Sequence, residues 1–401
     1  MSKQKNYLSG REIKAIAKAN AREMKRLEAY KNRKAPESEF ITTMHDDQNI
    51  LEIDDLHTFF FTEQGIVKAV NGVSYSVPKN SVVGVVGESG CGKSVTSMSV
   101  MRLIQGPTGQ IVDGSIRFKS YDYKRDEKGN PIPKAEAAGE YEMEEKVYDI
   151  AKMPIHEIHR IRGKQVAMIF QEPMTSLNPV FTIGQQLDEV TLLHQPGATR
   201  ASAKAKSEDM LRLVGIIPEN VYHAFPHELS GGMRQRVMIA MALAAEPRLI
   251  IADEPTTALD VTIQAQILDL LQDIKNKIDG SILLITHDLG VIAEMADYVV
   301  VMYAGKVIEK GTVYEIFQDP RHPYTIGLQK SKPTMTLDDS TELYNIPGNV
   351  PNPINMPDHC YFKERCVQCT AKCSGDYPGM VQVSPTHFVA CHLYGEEENH
   401  G

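Results

Sequence analysis

The sequence predicts an α/β fold with a central, largely parallel sheet. Three short apolar runs carry this prediction: SVVGVVG at 81–87, RLIIADEP at 248–255 and SILLITHD at 281–288. Each run is bounded by glycine or polar residues, and continuous apolar runs of this length are typical of parallel strands that are buried on both faces. Stretches with helical periodicity separate the runs, as strand–helix–strand units require.

The composition is that of a large globular chain. Of its 401 residues, 42% are apolar, which predicts a large domain of roughly 250 residues with attachments. No apolar run approaches the roughly 18 to 20 residues that cross a bilayer. The start MSKQKNYLSG lacks the apolar stretch of a secretory signal. We therefore expect an intracellular protein without a membrane span.

Charge is distributed unevenly along the chain. Residues 1–34 contain eleven Lys or Arg and three Glu, a net charge of +8, which leaves −17 for the remainder of a chain whose total is −9. The negative total argues against a general nucleic-acid binder. We interpret residues 1–48 as a basic N-terminal extension. It is expected to be either a solvated helix or tail, or an arm that contacts anionic lipid or RNA.

The remaining segments follow in order. Two-residue alternation in ILEIDDLHTFFF and GIVKAVNGVSYSV, followed by GSIRFKS, predicts three strands. Polar residues and the turn signal DEKGNPIP indicate an insert at about 121–154. Helical periodicity dominates about 172–245, and DYVVVMYAG with KVIEKG predicts a further strand pair. A segment rich in proline and cysteine occupies 321–401.

Residues 87–94, GESGCGKS, match the phosphate-binding pattern G-x-x-x-x-G-K-[ST] between a predicted strand and a predicted helix. Gly87, Gly90 and Gly92 allow backbone N–H groups to surround phosphate oxygens at a helix N-terminus, which carries about half a positive charge. Lys93 is expected to bridge the outer phosphates, and Ser94 to hold Mg²⁺. The pattern predicts a nucleotide-binding loop.

Two other strand ends carry side chains suited to phosphate chemistry. Asp253 ends the run RLIIAD, where its carboxylate can orient Mg²⁺ through water. Glu254 follows directly and is expected to act as the general base toward the attacking water. His287 closes SILLITH, and we expect it to contact the γ-phosphate region.

A second glycine-rich helix start is predicted in LSGGMRQR at 229–236. Ser230, Gly231 and Gly232 precede a stretch with helical apolar spacing, so this helix start is also ready to bind an anion. One nucleotide cannot use both helix starts of one chain, because the first loop already surrounds its phosphates. We therefore expect two nucleotide domains to face each other head to tail, with each completing the other's site.

In order and spacing, GESGCGKS, LSGGMRQR, RLIIADEP, TTALD and SILLITH resemble the ATP-binding cassette of ABC transporters. The resemblance implies a P-loop ATPase with a RecA-like core, an antiparallel β subdomain and a helical subdomain within 49–320. It implies that Gln171 senses Mg²⁺ and touches the membrane partner, and that Asp260 belongs to the loop that crosses the dimer. It also implies that Phe60, or a neighbour in FFF, stacks on adenine.

The sequences of these motifs are similar to those in the ATPase subunits of oligopeptide and dipeptide importers, a branch that includes nickel systems. RHPYTIGL and IPGNVPNP continue the likeness into a C-terminal extension. The branch implies a second ATPase chain, commonly a paralogue, two permease subunits and an extracellular solute-binding protein. It implies a peripheral position at the cytoplasmic face of the membrane. Nickel import, a non-transport ABC ATPase acting on DNA or ribosomes, and a metal-sensing regulatory module stay as alternatives.

Five of the six cysteines lie between residues 360 and 391. In a reducing compartment such crowding favours a metal site over disulfides. Spacing alone does not choose between zinc and an iron–sulfur cluster, and three histidines could join a zinc site: His359, His387 and His392. The importer resemblance implies a [4Fe-4S] cluster with Cys369 as an additional cysteine, and its ligands would be Cys360, Cys366, Cys373 and Cys391.

Overall fold

A computed structural model of the chain reveals two sheets and a set of surrounding helices. It describes residues 9–124, 126, 131–134, 141–172, 176–257, 260–278, 280–331 and 344–394. Among the helices in these ranges, none combines the length and the apolar character needed to cross a membrane.

The first sheet is a four-stranded antiparallel sheet with the order β2-β1-β4-β5. Side chains on its inner face, such as those of Leu51 and Ile53, are buried. The predicted insert at 121–154 begins as the end of β4 and returns as β5, so it extends this sheet, while most of its tip lies outside the described residues. The strands are β1 (Asn49–Thr62), β2 (Gly65–Pro78), β4 (Gly109–Tyr123) and β5 (Met143–Asp149).

The second sheet has eight strands in the order β11-β12-β10-β9-β3-β8-β7-β6. The five strands from β9 to β6 run parallel, as predicted, and β10, β12 and β11 continue the sheet antiparallel. The strands are β3 (Val82–Val86), β6 (Val166–Ile169), β7 (Leu249–Asp253), β8 (Ser281–Thr286), β9 (Tyr298–Tyr303), β10 (Lys306–Thr312), β11 (Val381–Gln382) and β12 (Phe388–Val389).

The central strands are buried on both faces, and alternate side chains enter two different cores. Val83 and Val85 of β3 face the antiparallel sheet, whereas Val82 and Val86 pack among the helices. Side chains of a strand alternate between faces, so continuous apolar runs such as VVGVV satisfy both cores. The carboxyl ends of these parallel strands meet at one edge, and that edge positions the site described below.

Several helices begin at residues whose side chains cap the free N–H groups. Thr182 and Thr199 form capping boxes at two of them, and the Ser230 hydroxyl accepts from the backbone of Met233 at a third. The helices are α1 (Gly10–Lys31), α2 (Lys93–Val100), α3 (Ile183–His194), α4 (Arg200–Leu213), α5 (Pro218–Val221), α6 (Gly231–Leu243), α7 (Val261–Ile278), α8 (Leu289–Met295), α9 (Val313–Gln318) and α10 (Pro323–Lys330). The region from α3 to α6 corresponds to the predicted helical stretch.

Both terminal segments pack on the region between them. In the N-terminal extension, α1 docks through buried Leu27 and through Asn20, whose amide donates to the carbonyl oxygen of Thr62 at 2.8 Å. In the C-terminal extension, β12 pairs with β10 and therefore lengthens the central sheet. Sequence periodicity gave no signal for either attachment, because both depend on contacts between distant parts of the chain.

Candidate ATP-binding site

The phosphate loop joins β3 to α2 and has no room for larger side chains at two of its glycines. A Cβ atom on Gly92, which has φ of 102°, would collide with the carbonyl oxygen of Ala69, and one on Gly87 would collide with that of Met302. Lys93 is 5% exposed, and its ammonium group donates to the carbonyl oxygen of Gly87 at 2.7 Å. The loop therefore holds a buried cation among backbone groups, which suits a phosphate chain.

The two predicted Mg²⁺ ligands are neighbours in space. The Ser94 hydroxyl donates to Asp253 Oδ1 at 3.0 Å, although the residues are 159 positions apart. Burial raises the pKa of the Asp253 carboxyl to about 6, with a further increase from the charge of Glu254 and an opposing effect of the Ser94 hydrogen bond. A buried carboxylate beside a hydroxyl is a suitable place for a hard cation, because oxygen ligands are those that Mg²⁺ prefers.

The predicted base is held by three polar side chains. Glu254 Oε2 accepts from Gln171 Nε2 and from the Thr257 hydroxyl, both at 2.9 Å, and Glu254 Oε1 lies 3.2 Å from His287 Nδ1. The backbone of Glu254 has a left-handed φ of 48°, which is uncommon for a residue with a side chain. The structure thus brings Gln171, Glu254 and His287 together at one sheet edge. Thr257 is a partner that sequence reasoning missed.

The glycine-rich start of helix α6 lies exposed on the surface. Ser230 and Gly231 are exposed, and a Cβ atom on Gly231 would meet no atom within 4 Å. The side chain of Asp260, also exposed, accepts from the backbone N–H of Ile263 at 3.0 Å and so caps the start of α7. Within the described part of the chain, no hydrogen bond or ion pair joins Ser230 or Gly232 to the phosphate loop. The helix start is available to a second molecule.

Among the three successive phenylalanines, Phe60 lies on the face of β1 toward α2. Thr58, two residues earlier, bonds Ser99 of α2 at 2.8 Å. The pairing of β1 with β4 is regular from Thr58 to Phe60, so the side chains of these two residues share a face. Phe59 and Phe61 occupy the opposite face. This placement favours Phe60 for the predicted contact with adenine.

Comparisons with known proteins agree with this geometry. A family model described as ABC transporter matches residues 70–257, and one described as oligopeptide/dipeptide transporter, C-terminal region, matches 308–373. The oligopeptide transport ATP-binding protein AppD of Bacillus subtilis is 45% identical over 87% of this chain and 98% of its own length. The dipeptide transport ATP-binding protein DppD of the same organism is 44% identical, over 88% of this chain and 97% of its own length.

The chain belongs to the ATP-binding proteins of oligopeptide/dipeptide ABC transporters. It is accordingly an ABC ATPase. A solved dimeric ATP-binding cassette with bound ADP and Pi shares the fold, at a TM-score of 0.53 and 21% identity over 66% of this chain and 98% of that chain.

Beside Gln171, this ABC ATPase has an apolar groove of about 280 Å³. Its walls come from the segment after α2, from β6, from α3 and from α6, and they include Met101, Leu103, Phe170 and Met238. Phe170 is 38% exposed and immediately precedes Gln171. The groove therefore borders the residue whose side chain donates a hydrogen bond to Glu254, the predicted base. An exposed apolar surface of this kind is typical of a protein contact.

The cysteines of the C-terminal extension are unpaired thiols. Burial raises the pKa of Cys360 to about 11, and the nearby thiols of Cys373, Cys391 and Cys366 raise it further. Cys369 is exposed. Two of the candidate histidines have other partners: His387 lies 2.8 Å from Glu309, and His392 lies 3.1 Å from the carbonyl oxygen of Asp376.

Proposed function

We propose that this chain hydrolyses ATP to power the import of oligopeptides or dipeptides across the cytoplasmic membrane. The observation that carries the proposal is the constellation around Glu254, where Gln171 and His287 converge next to the pair formed by Ser94 and Asp253. Relatives that match across nearly their whole length are named as oligopeptide and dipeptide transport proteins, which supports the substrate class.

Each residue of the site has a role that its position supports. Lys93 would neutralise phosphate charge, and Glu254 would accept a proton from water, with Gln171 and His287 orienting its carboxylate. When bound, Mg²⁺ would stabilise the charge on the β- and γ-phosphates. Ser94 and Asp253 fit this ion, since they already present a hydroxyl and a buried carboxylate to each other at 3.0 Å.

The open start of α6 supports a head-to-tail dimer of cassettes. Ser230, Gly231 and Gly232 would approach the γ-phosphate in the phosphate loop of a facing cassette, with Asp260 near the boundary. ATP would then hold the two cassettes together, and hydrolysis would release them. The facing cassette is expected to be a paralogous ATPase chain, as in importers that pair two different ATPase subunits.

The apolar groove supports docking on a membrane partner. Short helices of two permease subunits would insert beside Phe170, so that the ATPase lies peripherally at the cytoplasmic face of the membrane. A solute-binding protein outside the cell would deliver the peptide to this complex. Because peptide length is selected by those other subunits, the chain itself supports only the class of cargo.

The cysteine-rich extension at 321–401 is proposed to hold a [4Fe-4S] cluster through Cys360, Cys366, Cys373 and Cys391. In the described part of the chain, no three of these thiols lie within 4.8 Å of one another. A single zinc at about 2.3 Å from each sulfur draws thiolates closer than that, whereas a four-iron cluster separates them. Although burial raises the pKa of Cys373, hydrogen bonds from Thr370 lower it overall. Burial raises the pKa of Cys360, Cys366 and Cys391, so a bound cluster would have to displace the protons of these three thiols.

Transport in proteoliposomes tests the proposal. The chain, its partner ATPase and the permease subunits would be reconstituted, and uptake of a labelled tripeptide and of ⁶³Ni²⁺ would be measured with MgATP. We expect peptide uptake with the wild type and none with Glu254→Gln. Uptake of nickel alone, or recovery of the chain with ribosomes or DNA in place of permease, would overturn it.

A further inference from the structure

The C-terminal extension binds the phosphate loop directly at Glu88. Arg365 is 7% exposed, and its guanidinium group donates to both carboxylate oxygens of Glu88, at 2.7 and 3.0 Å. Its Nε also donates to the carbonyl oxygen of Pro347 at 3.0 Å. Bidentate pairs of this kind combine charge with fixed geometry, so the carboxylate of Glu88 is held in a single position.

Glu88 is also held through its backbone. Its N–H donates to the hydroxyl of Tyr324 in α10 at 2.8 Å, and its carbonyl oxygen accepts from the ammonium group of Lys93 at 3.2 Å. Tyr324 and Arg365 both lie in the region that matches the C-terminal family model, whereas Glu88 lies in the cassette model. The two regions therefore meet at the second residue of the loop that is proposed to surround ATP.

We propose that Arg365 is a positioning residue for ATP, acting through Glu88. By fixing the first turn of the phosphate loop, it keeps the backbone N–H groups and Lys93 arranged for phosphate. The C-terminal extension thus sets the nucleotide affinity of its own chain. This inference rests on the proposed function, because it requires that ATP binds in this loop. Arg365 directly precedes Cys366. A conformational change in the cysteine-rich segment would therefore be transmitted to the ATP site through Arg365.

Nucleotide binding and steady-state hydrolysis test this role. Replacing one partner of a charged hydrogen bond typically changes an equilibrium about tenfold to 100-fold, and part of that loss should appear in ATP binding. For Arg365→Gln we expect the KM for ATP and the Kd of a fluorescent ATP analogue to rise at least about fivefold, with kcat at saturating ATP nearly unchanged. Arg365→Lys should recover part of the affinity, because it restores the charge but only a single contact.

A double-mutant cycle shows whether Arg365 acts through Glu88. The double variant Glu88→Gln with Arg365→Gln should bind the analogue no more weakly than the weaker single variant. Lys363→Gln is the matched control, because Lys363 lies two residues before Arg365 and forms its ion pair with exposed Glu364, and it should bind like the wild type.

Three outcomes would overturn this role: additive losses in the cycle, an unchanged Kd in Arg365→Gln, or an equal loss in Lys363→Gln. Circular dichroism would confirm that each variant is folded. If the wild-type chain itself failed to bind the analogue, the proposed function would fall instead.

A separate observation concerns α1, whose exposed side forms a basic face. Its members share an outward position and have no ion-pair partner among the described residues: Arg11, Lys14, Lys18, Arg22 and Lys25. At 3.6 residues per turn, these five side chains lie within an arc of about 80° around the helix axis. Asn20 and Leu27, which dock the helix, lie on the opposite side. One face of the helix is thus docked on the protein, and the opposite face exposes only Lys, Arg and small residues to solvent.

The docked side of α1 lies near the apolar groove. In the segment that follows α2, Met101 and Leu103 line the groove, whereas Arg102 and Ile104 line a cavity of about 180 Å³ with the docked side of α1. One wall therefore separates α1 from the surface proposed to receive the permease. With the permease docked in this groove, α1 would lie on a neighbouring part of the surface.

The geometry points to anionic phospholipid headgroups as the partner of the basic face, an inference that also rests on the proposed docking. Anionic membrane lipids attract clustered Lys and Arg side chains without requiring shape complementarity. Sequence-specific RNA binding uses exposed aromatic side chains that stack on bases, and the basic face has none.

Co-sedimentation with lipid vesicles tests this partner. We expect the chain to bind vesicles that contain about one third phosphatidylglycerol, to bind pure phosphatidylcholine weakly, and to dissociate at high salt. The triple variant Lys14→Gln, Lys18→Gln, Arg22→Gln should lose about 100-fold in partitioning, at roughly a factor of five per charge. A variant with the same charge change on exposed cations of α4 should lose little: Arg200→Gln, Lys204→Gln, Arg212→Gln.

Equal losses in both variants, unchanged binding in the first, or preferential binding to a short RNA in competition would overturn the assignment. Because the vesicles contain no permease, a negative result would leave peptide import untouched. A failure of peptide uptake would likewise leave the vesicle result standing.

Discussion

Replacing Asp253 with Asn should stabilise the nucleotide-free chain while abolishing hydrolysis. Asp253 is 6% exposed, and burial raises the pKa of its carboxyl to about 6 from an ordinary value of 3.8. A raised carboxyl pKa means that the folded chain resists the charged form. Asn has no charge to bury, and its side-chain oxygen can still accept from the Ser94 hydroxyl.

The magnitude follows from the two pKa values. Below pH 3.8 the carboxyl is protonated in both states and has no cost. As the pH rises toward 6, the unfolded chain ionises first, so the folded chain loses stability, and above pH 6 the full penalty applies. The difference corresponds to about 3 kcal/mol at pH 8 and about 1 kcal/mol at pH 4.5. For 401 residues, 3 kcal/mol is a change in Tm of about 4 °C.

Thermal unfolding of the wild type and Asp253→Asn in EDTA would measure this effect. We expect the variant to unfold about 4 °C higher at pH 8 and about 1 °C higher at pH 4.5. MgATP at one high concentration should raise the Tm of the wild type more than that of the variant, because stabilisation of the folded state by a ligand increases with the logarithm of its affinity. Hydrolysis should be lost in the variant, since a neutral amide is a poor ligand for Mg²⁺.

Asp269→Asn is the control, because Asp269 is exposed on α7 and should behave like the wild type at every pH. An equal Tm for the wild type and Asp253→Asn at pH 8 would refute the reasoning. So would a gain that does not depend on pH, because the penalty comes from ionisation alone.

Three further perturbations test other parts of the chain. Glu254→Gln should reduce turnover by at least about 100-fold while ATP still binds, as measured by phosphate release and analogue binding; near-normal turnover would exclude it as the base. Gly92→Ala should abolish nucleotide binding, since its Cβ would collide with Ala69, whereas Gly231→Ala should still bind. Glu309→Ala should destabilise the fold by about 3 to 5 kcal/mol, because buried Glu309 accepts from His387 and two backbone N–H groups, and an unchanged Tm would contradict this.

The nucleotide residues could be placed from the sequence because strand periodicity and parallel pairing act together. Apolar runs identify the buried strands, and the carboxyl ends of parallel strands meet at one edge. Ser94, Asp253 and Glu254 therefore had to lie close together, as the structure confirms. The exact partners of Glu254 were less predictable, since Gln171 belongs to a loop whose path depends on tertiary packing.

Contacts of the two terminal extensions could not be predicted from local patterns. Arg365 and Glu88 are 277 residues apart, and each alone has the appearance of an ordinary surface charge in the sequence. The basic N-terminal stretch likewise suggested a solvated helix or tail, although Leu27 and Asn20 anchor it to the cassette. Charge and polarity indicate exposure only when no distant partner exists, and the sequence of a single chain does not reveal such partners.

The arrangement around Glu254 suggests how permease docking can act on hydrolysis over a short distance. Gln171 donates to Glu254 at 2.9 Å, and its neighbour Phe170 lines the apolar groove. A displacement of this loop by a docked helix would therefore lengthen or break a bond to the proposed base itself. The left-handed φ of Glu254 further restricts how its backbone can respond. Coupling between transport and ATP hydrolysis then requires only the rearrangement of one loop that contacts both the groove and the base.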